Sequence, residues 1–345
     1  MFKPFIAGAV GLAAAAASAV AIAASISGAG ATFPAPVYAK WAEAYRAATG
    51  NALNYQAIGS GGGIKQIEAK TVDFGASDKP LKADVLEQNG LMQFPTVIGG
   101  VVPVANLPGV APGQLHMTGP VLADIYRGVR KYWDDPVIQS FNRGVKLPHM
   151  PITVVHRSDG SGTTFLFTSF LAGQAQHWSA EVGASDSVNW PTGIGGKGND
   201  GVAAFVKQTP GAIGYVEYAY AKQNNMTYAV MQNKAGKWVA PTAQNFAAAA
   251  AGAQWQKAPG FYLLLLDQPG ANSWPITGAT FILMHKVQSN PQAAHDVLAF
   301  FDWSYKNGNP AAVQLDYVPL PDTVKALIRK SWAQIKGPDG KPVYP

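Results

Sequence analysis

The chain has 345 residues, 48% hydrophobic and 13% charged, with 37 glycines and 25 prolines; this is the composition of a globular protein with many turns, not of a disordered or fibrous one, and the length favours two lobes over one core. Its formal charge of +6 comes from scattered Lys and Arg with isolated pairs at Arg130-Lys131 and Arg329-Lys330, so it lacks the basic stripe a nucleic acid needs and instead favours the approach of small anions. Cysteine is absent, which excludes disulfides, thiolate metal sites, Cys nucleophiles and a lipid-modified N-terminal Cys.

Residues 1–24 open with Lys3 and run on as an apolar, alanine-rich stretch from Phe5 to Ala24. Small residues close it in Ala21-Ile22-Ala23-Ala24-Ser25, as in a secretory signal peptide cleaved after Ala23 or Ala24. A membrane anchor is the competing reading, but the stretch is only just long enough to span and no charged cluster follows it. Beyond the leader, strand and helix signals alternate, which predicts an α/β architecture.

Gly28-Ala29-Gly30-Ala31-Thr32-Phe33-Pro34 leads into a helix over 34–48, where Val37, Trp41 and Tyr45 recur every fourth position. Thr32 either caps that helix or helps its unpaired N–H groups receive an anion. A strand over 53–58 precedes Gly59-Ser60-Gly61-Gly62-Gly63 and a helix over 64–70. The glycines are a flexible turn or a cradle for close backbone approach, with Ser60 adding a hydroxyl. A dinucleotide fingerprint fails here, because Ile64 stands where its third Gly belongs. Alternation then puts Val72 and Phe74 on one face of a strand over 72–76, which emerges at Ser77-Asp78. Asp78 either caps the next turn or faces the Gly-rich cleft.

Strands follow over 96–104 and 152–157. The second runs into Arg157-Ser158-Asp159-Gly160-Ser161-Gly162-Thr163-Thr164 and a helix over 164–171. Ser161 and Thr163 offer hydroxyls, Gly162 exposes backbone N–H, and Arg157 carries the planar fork that suits an oxyanion, with Asp159 able to fix it. A turn with a helix cap is the plainer reading. Further on come a helix over 200–207, strands over 212–218 and 279–285, and helices over 291–303 and 322–335. Asn290 can cap the first of these two late helices, with Pro291 in its first turn and Gly308 past its end. Val297, Leu298, Phe301 and Tyr305 share its buried face.

Residues 28–34, 58–63 (Ile-Gly-Ser-Gly-Gly-Gly), 73–78 (Asp-Phe-Gly-Ala-Ser-Asp) and 159–163 (Asp-Gly-Ser-Gly-Thr) closely resemble the segments of the periplasmic phosphate-binding proteins of phosphate-specific ABC transporters, a substrate-binding protein family. The likeness extends through residues 94–100, 195–201, 211–218 and 274–277 and so covers essentially the whole chain after the leader. The resemblance implies a two-lobed periplasmic binding protein fold of type II, each lobe a mainly parallel sheet flanked by helices, with the ligand in the cleft. The expected division is 25–102 plus 226–345 for one lobe and 103–225 for the other. Carried over by motif, the phosphate contacts are Thr32, the Phe33 N–H, Ser60, Asp78, Arg157, Ser161, Gly162 and Thr163, with Asp159 in support. The resemblance further implies a soluble periplasmic monomer that delivers phosphate to membrane permease subunits served by a cytoplasmic ATPase, without cofactor, metal, nucleic acid or catalysis.

Near neutral pH phosphate keeps at least one proton and sulfate keeps none, so a fixed carboxylate accepts a hydrogen bond from one and meets only like charge in the other. That mismatch is worth roughly three or more powers of ten in affinity. A binder of another tetrahedral oxyanion, sulfate or molybdate, is the rival reading, and Asp78 is the residue that separates the two. A scaffolding protein retaining only the fold would be expected to have lost some of the eight contacts. An enzyme finds little support: the nucleophile-elbow pattern fails at Ser158, His156 alone makes neither a triad nor a metal cluster, and Gly198 stands where a P-loop needs Ser or Thr.

Overall fold

The computed structural model describes residues 25–344, and the expected signal peptide lies outside the described residues. Strand β1 (Ser25–Gly30) lies between β2 (Ala52–Ala57) and β3 (Phe74–Ser77) and runs parallel to both. Helices α1 (Ala35–Thr49) and α2 (Ser60–Glu68) make the crossovers that parallel strands require. The β1 sequence, Ser-Ile-Ser-Gly-Ala-Gly, has one β-branched apolar residue and carries no strand signal of its own. After α3 (Ala83–Gln88) comes β4 (Leu91–Ala105), a 15-residue strand that is buried throughout and starts five residues earlier than its sequence predicts.

After β4 the chain runs through β5 (Leu115–Met117), α4 (Gly119–Tyr126), α5 (Pro136–Phe141), β6 (Thr153–Arg157), α6 (Gly162–Gln174), α7 (Gln176–Glu181), β7 (Ile194–Gly196), α8 (Gly198–Gln208), β8 (Ala212–Glu217), α9 (Tyr218–Gln223), β9 (Thr227–Gln232) and β10 (Trp238–Val239). The chain returns through α10 (Ala243–Ala250), β11 (Leu265–Leu266), β12 (Ile276–His285), α11 (Pro291–Asn307), α12 (Asn309–Gln314), β13 (Val318–Pro319) and α13 (Asp322–Ser331).

The main strand order is β2-β1-β3-β12-β4-β8-β6-β7. Strand β4 carries both lobes: Leu91–Gly100 pairs antiparallel with β12, and Val101–Ala105 pairs antiparallel with β8. Each lobe therefore has a parallel core, β1 with β2 and β3 or β6 with β7 and β8, bordered by the crossing strand. Strand β9 pairs with β5 and with Val104 and Ala105 of β4, and β10 pairs with β9. Residues 227–239 thus pair with β5 and the end of β4, although they follow position 226, where the first lobe is expected to resume. The Trp274 indole N–H donates to the Val101 carbonyl at 3.0 Å and ties the return to the middle of β4.

Pro95 has no N–H for the ladder, and the β4–β12 register shifts opposite it, between Thr280 and Phe281, so that Thr96 is skipped. The Thr96 hydroxyl instead shares a 2.7 Å hydrogen bond with Tyr38 and donates to the Thr280 carbonyl. Helix α11 backs the first lobe as its pattern predicts: Asn290 Oδ1 accepts the Ala293 N–H at 3.2 Å, and Val297, Leu298, Phe301 and Tyr305 are buried. The Phe301 ring meets Phe74 edge-on at 5.2 Å. Burying each such side chain stabilises the lobe by about 1.5–3 kcal/mol.

Candidate functional site

Two helices from different lobes end face to face between them. Helix α6 begins at Gly162, capped by Ser161, whose Oγ accepts the Thr164 N–H at 3.0 Å. Helix α2 begins at Ser60, with Gly59 as its N-cap at φ 92°, so Gly61–Gly63 form the helix's first turn and not a loop before Ile64. The approach is close. A Cβ on Gly162 would lie 2.5 Å from Ser60 Oγ and 2.7 Å from Asp78 Oδ2, and the Gly61 N–H donates to the Gly160 carbonyl across the lobes at 2.9 Å. The sequence-identified side chains Thr32, Ser60, Asp78, Arg157, Ser161 and Thr163 gather around this point and Phe33 follows Thr32 in the chain, none of the seven residues more than 3% exposed. Both helix N-termini turn their positive ends toward this enclosed point.

Arg157, at the end of β6, is clamped by Asp159: its Nε donates to Oδ1 at 2.7 Å and its Nη2 to Oδ2 at 2.5 Å. Nη1 reaches Thr163 Oγ1 at 3.4 Å. Burial pushes the Asp159 carboxyl up, but the hydrogen bonds and charge of Arg157, with the Gly198 N–H, outweigh it and hold the group below the usual carboxylate range. Asp159 is thus ionised and fixes the guanidinium plane, as its place in the sequence suggests.

Asp78 stands one residue past β3. Its Oδ1 accepts the Thr280 hydroxyl at 2.7 Å, while Oδ2 is buried without a hydrogen-bond partner, beside Gly162. Burial raises its pKa to about 7 against the lowering effects of Thr280, Arg157 and Ser60. An orphaned carboxylate oxygen costs about 1–3 kcal/mol or more unless something donates to it, so Oδ2 is an unfilled acceptor set among these donors. Ser60 Oγ, in turn, accepts the Asp78 N–H at 3.2 Å. Ser60 and Ser161 therefore each receive a backbone N–H on oxygen, which frees their hydroxyl protons to donate elsewhere.

Thr32 does not cap α1, whose N-cap is Pro34 without a side-chain hydrogen bond. Its Oγ1 meets Asn199, and its carbonyl accepts the Tyr220 hydroxyl at 2.6 Å. The Phe33 carbonyl accepts from the Tyr317 hydroxyl at 2.6 Å, and Tyr317 also contacts Glu217 at 2.8 Å. Burial pushes the Glu217 carboxyl well above its ordinary pKa, against the lowering effect of the Tyr317 hydroxyl. Asn199 and Thr280 join the site without having been named from the sequence: Asn199 lies in the family-like segment 195–201 but carries no signal of a role there, and Thr280 is a lone polar residue in an apolar strand. His156 stacks on Trp190 at 4.8 Å, and burial lowers its pKa.

Among the described residues, no group of three His, Asp or Glu is placed to hold a metal ion. A surface hollow of about 290 Å³ lined by Leu86, Leu91, Trp255 and Phe261 contains none of the site residues. What the enclosed point offers is a shell of hydrogen-bond donors, an arginine already clamped by Asp159, and the half-partnered acid Asp78, between lobes that must part to admit anything.

That arrangement defines a two-lobed binding protein, and residues 14–307 match the PBP superfamily domain. The chain is 55% identical over 318 residues, 92% of each chain, to the phosphate-binding protein PstS of Pasteurella multocida (strain Pm70). It is 53% identical over 305 residues, 88% of this chain and 91% of the other, to the phosphate-binding protein PstS of Haemophilus influenzae. A solved structure of a high affinity periplasmic phosphate-binding protein (PfluDING) bound with phosphate shares the fold, with a TM-score of 0.71 at 23% identity, over 89% of this chain and 94% of that one. The chain belongs to the PstS family of phosphate-binding proteins.

Proposed function

We propose that the chain, once its leader is removed, binds one inorganic phosphate in the periplasm and delivers it to the permease of an ABC transporter. Thr32, the Phe33 N–H, Ser60, Arg157, Ser161, Gly162 and Thr163 donate to the anion, and Asp78 accepts from it. The protein performs no reaction on its ligand. One lobe takes residues 25–102 and those beyond Val239, the other residues 103–239, because β9 and β10 pair with second-lobe strands.

The observation that carries this reading is the buried Oδ2 of Asp78, unpartnered among donors. A fully ionised anion gives it nothing, while hydrogen phosphate supplies the missing proton. Sulfate or molybdate becomes acceptable only where Asp78 carries a proton itself, and its pKa of about 7 puts that condition on the acid side of neutrality. Equilibrium dialysis of labelled phosphate at pH 8 tests the proposal. Retention of phosphate against a thousandfold excess of sulfate is expected, displacement by sulfate at comparable concentration overturns the selectivity, and absence of phosphate binding overturns the function.

A further inference from the structure

We infer that Asn199 is a positioning residue that turns the hydroxyl protons of Thr32 and Thr163 toward the bound anion, an inference that rests on the cleft being the phosphate site. Asn199 is the second residue of α8 and is 0% exposed. The orientation of its amide follows from its neighbours. The group facing its Oδ1 at 2.9 Å is the Glu217 backbone N–H, which can only donate, so the other end of the amide is the NH₂.

The two NH₂ protons go to two hydroxyl oxygens: Thr32 Oγ1 at 2.7 Å and Thr163 Oγ1 at 3.2 Å. The backbone N–H of Asn199 reaches Thr32 Oγ1 as well, at 3.2 Å. A hydroxyl has two acceptor positions and one proton. Thr32 Oγ1 therefore has both acceptor positions filled by Asn199. Thr163 Oγ1 has one filled by Asn199 and one by Arg157 Nη1 at 3.4 Å. Neither hydroxyl has a lone pair left for the cleft, and each presents its proton there. Because rotation would otherwise let a threonine aim a lone pair at the anion, a neutral amide here aligns two donors without adding charge. Thr32 comes from the first lobe, while Thr163 and Asn199 come from the second, so the alignment of Thr32 is completed only as the lobes meet.

Phosphate affinity of the full chain by equilibrium dialysis, in a cycle with the threonines, tests this. Asn199→Ala is expected to weaken binding about 10- to 100-fold, the scale of hydrogen bonds to a charged group. In a Thr32→Val, Thr163→Val background the same change is expected to cost less than about threefold, because the hydroxyls it acts through are gone. An equal loss in both backgrounds assigns Asn199 a purely structural role and overturns the inference. Asn199→Asp keeps the acceptor for the Glu217 N–H and guards against misfolding of the alanine variant. Its carboxylate can only accept, so it draws both threonine protons away from the ligand. We expect a larger loss than with Asn199→Ala, shrinking relative to wild type as pH falls through the titration of the introduced acid. A loss independent of pH counts against the inference. Arg157→Ala in the same assay reports on the site itself: phosphate binding retained there removes the cleft reading and the inference with it, whereas loss there with an unchanged Asn199→Ala removes the inference alone.

Discussion

Asp78 carries an acid into a place where charge is costly, and its pKa of about 7 measures that cost. The folded protein holds the Asp78 proton more tightly than the unfolded chain, whose carboxyl has the ordinary value of 3.8. Its contribution to the stability of the unliganded protein is therefore most favourable below about pH 4 and is lost as pH rises through about 7. Asp78→Asn removes the charge but keeps the shape. We expect the variant without ligand to melt several degrees above wild type at pH 8, and the gap to close near pH 4; a gap independent of pH counts against an ionised Asp78. The same substitution is expected to reduce the preference for phosphate over sulfate, read from competition dialysis, since an amide can donate to either anion. Asp78 was legible in the sequence through the family-like segment 73–78, since its place at a strand end left a turn cap equally open. Thr280 was not, because its hydroxyl reaches Asp78 beside a register shift that Pro95 sets on another strand. The partners of Asn199 were not legible for a similar reason, although segment 195–201 is family-like: Thr32 and Glu217 lie 167 and 18 residues away.

At the level of elements, glycine is where the pattern and the structure part. Read along the chain, Gly61–Gly63 look like a turn, since glycine is a poor helix former by about 1 kcal/mol. They are helical all the same, because the start of α2 must pass against the other lobe's backbone at Gly160. Strand β1 was missed for the converse reason: small residues weaken its own signal, and pairing on both edges supplies what propensity does not. Helix α11, with cap, stripe and terminal glycine all local, was read almost whole. Gly162 allows this account to be tested. It lies in α6, where alanine is the better helix former, so Gly162→Ala is expected to leave the melting temperature of the unliganded protein unchanged or slightly higher. The added methyl would sit 2.5 Å from Ser60 Oγ and 2.6 Å from Asp78 Cβ when the lobes meet. Phosphate affinity is accordingly expected to fall by about 5- to 150-fold, the scale of one methyl clashing in a packed interior. Binding at wild-type strength would show that the two helix ends do not approach this closely around the ligand.

For the molecule as a whole, burial of the site requires motion, because side chains no more than 3% exposed cannot take up an anion until the lobes separate. What holds them together at the rim is then part of the release rate. Lys79, next in sequence to Asp78, reaches Asp186 of the second lobe at 2.9 Å, and the backbone carbonyl of Asp186 accepts the Ser161 N–H. Burial raises the Asp186 carboxyl, but the Lys79 hydrogen bond and charge prevail and hold it below the usual carboxylate range. Both side chains remain partly exposed, at 31% and 21%, which limits the pair to about 0.5–1 kcal/mol. That range corresponds to a two- to fivefold change in rate. Lys79→Met is expected to speed phosphate release by that factor in stopped-flow experiments, with a smaller change in the rate of capture, since the pair forms only on closure. Asp186→Asn is expected to match it, and the double variant to release no faster than either single one, because both remove the same contact. Salt is expected to quicken release from the wild type and to leave the variants nearly unaffected, as screening reaches a pair at the rim before it reaches the buried Arg157. Additive effects in the double variant, or equal salt dependence in all four proteins, would place the closing interaction elsewhere.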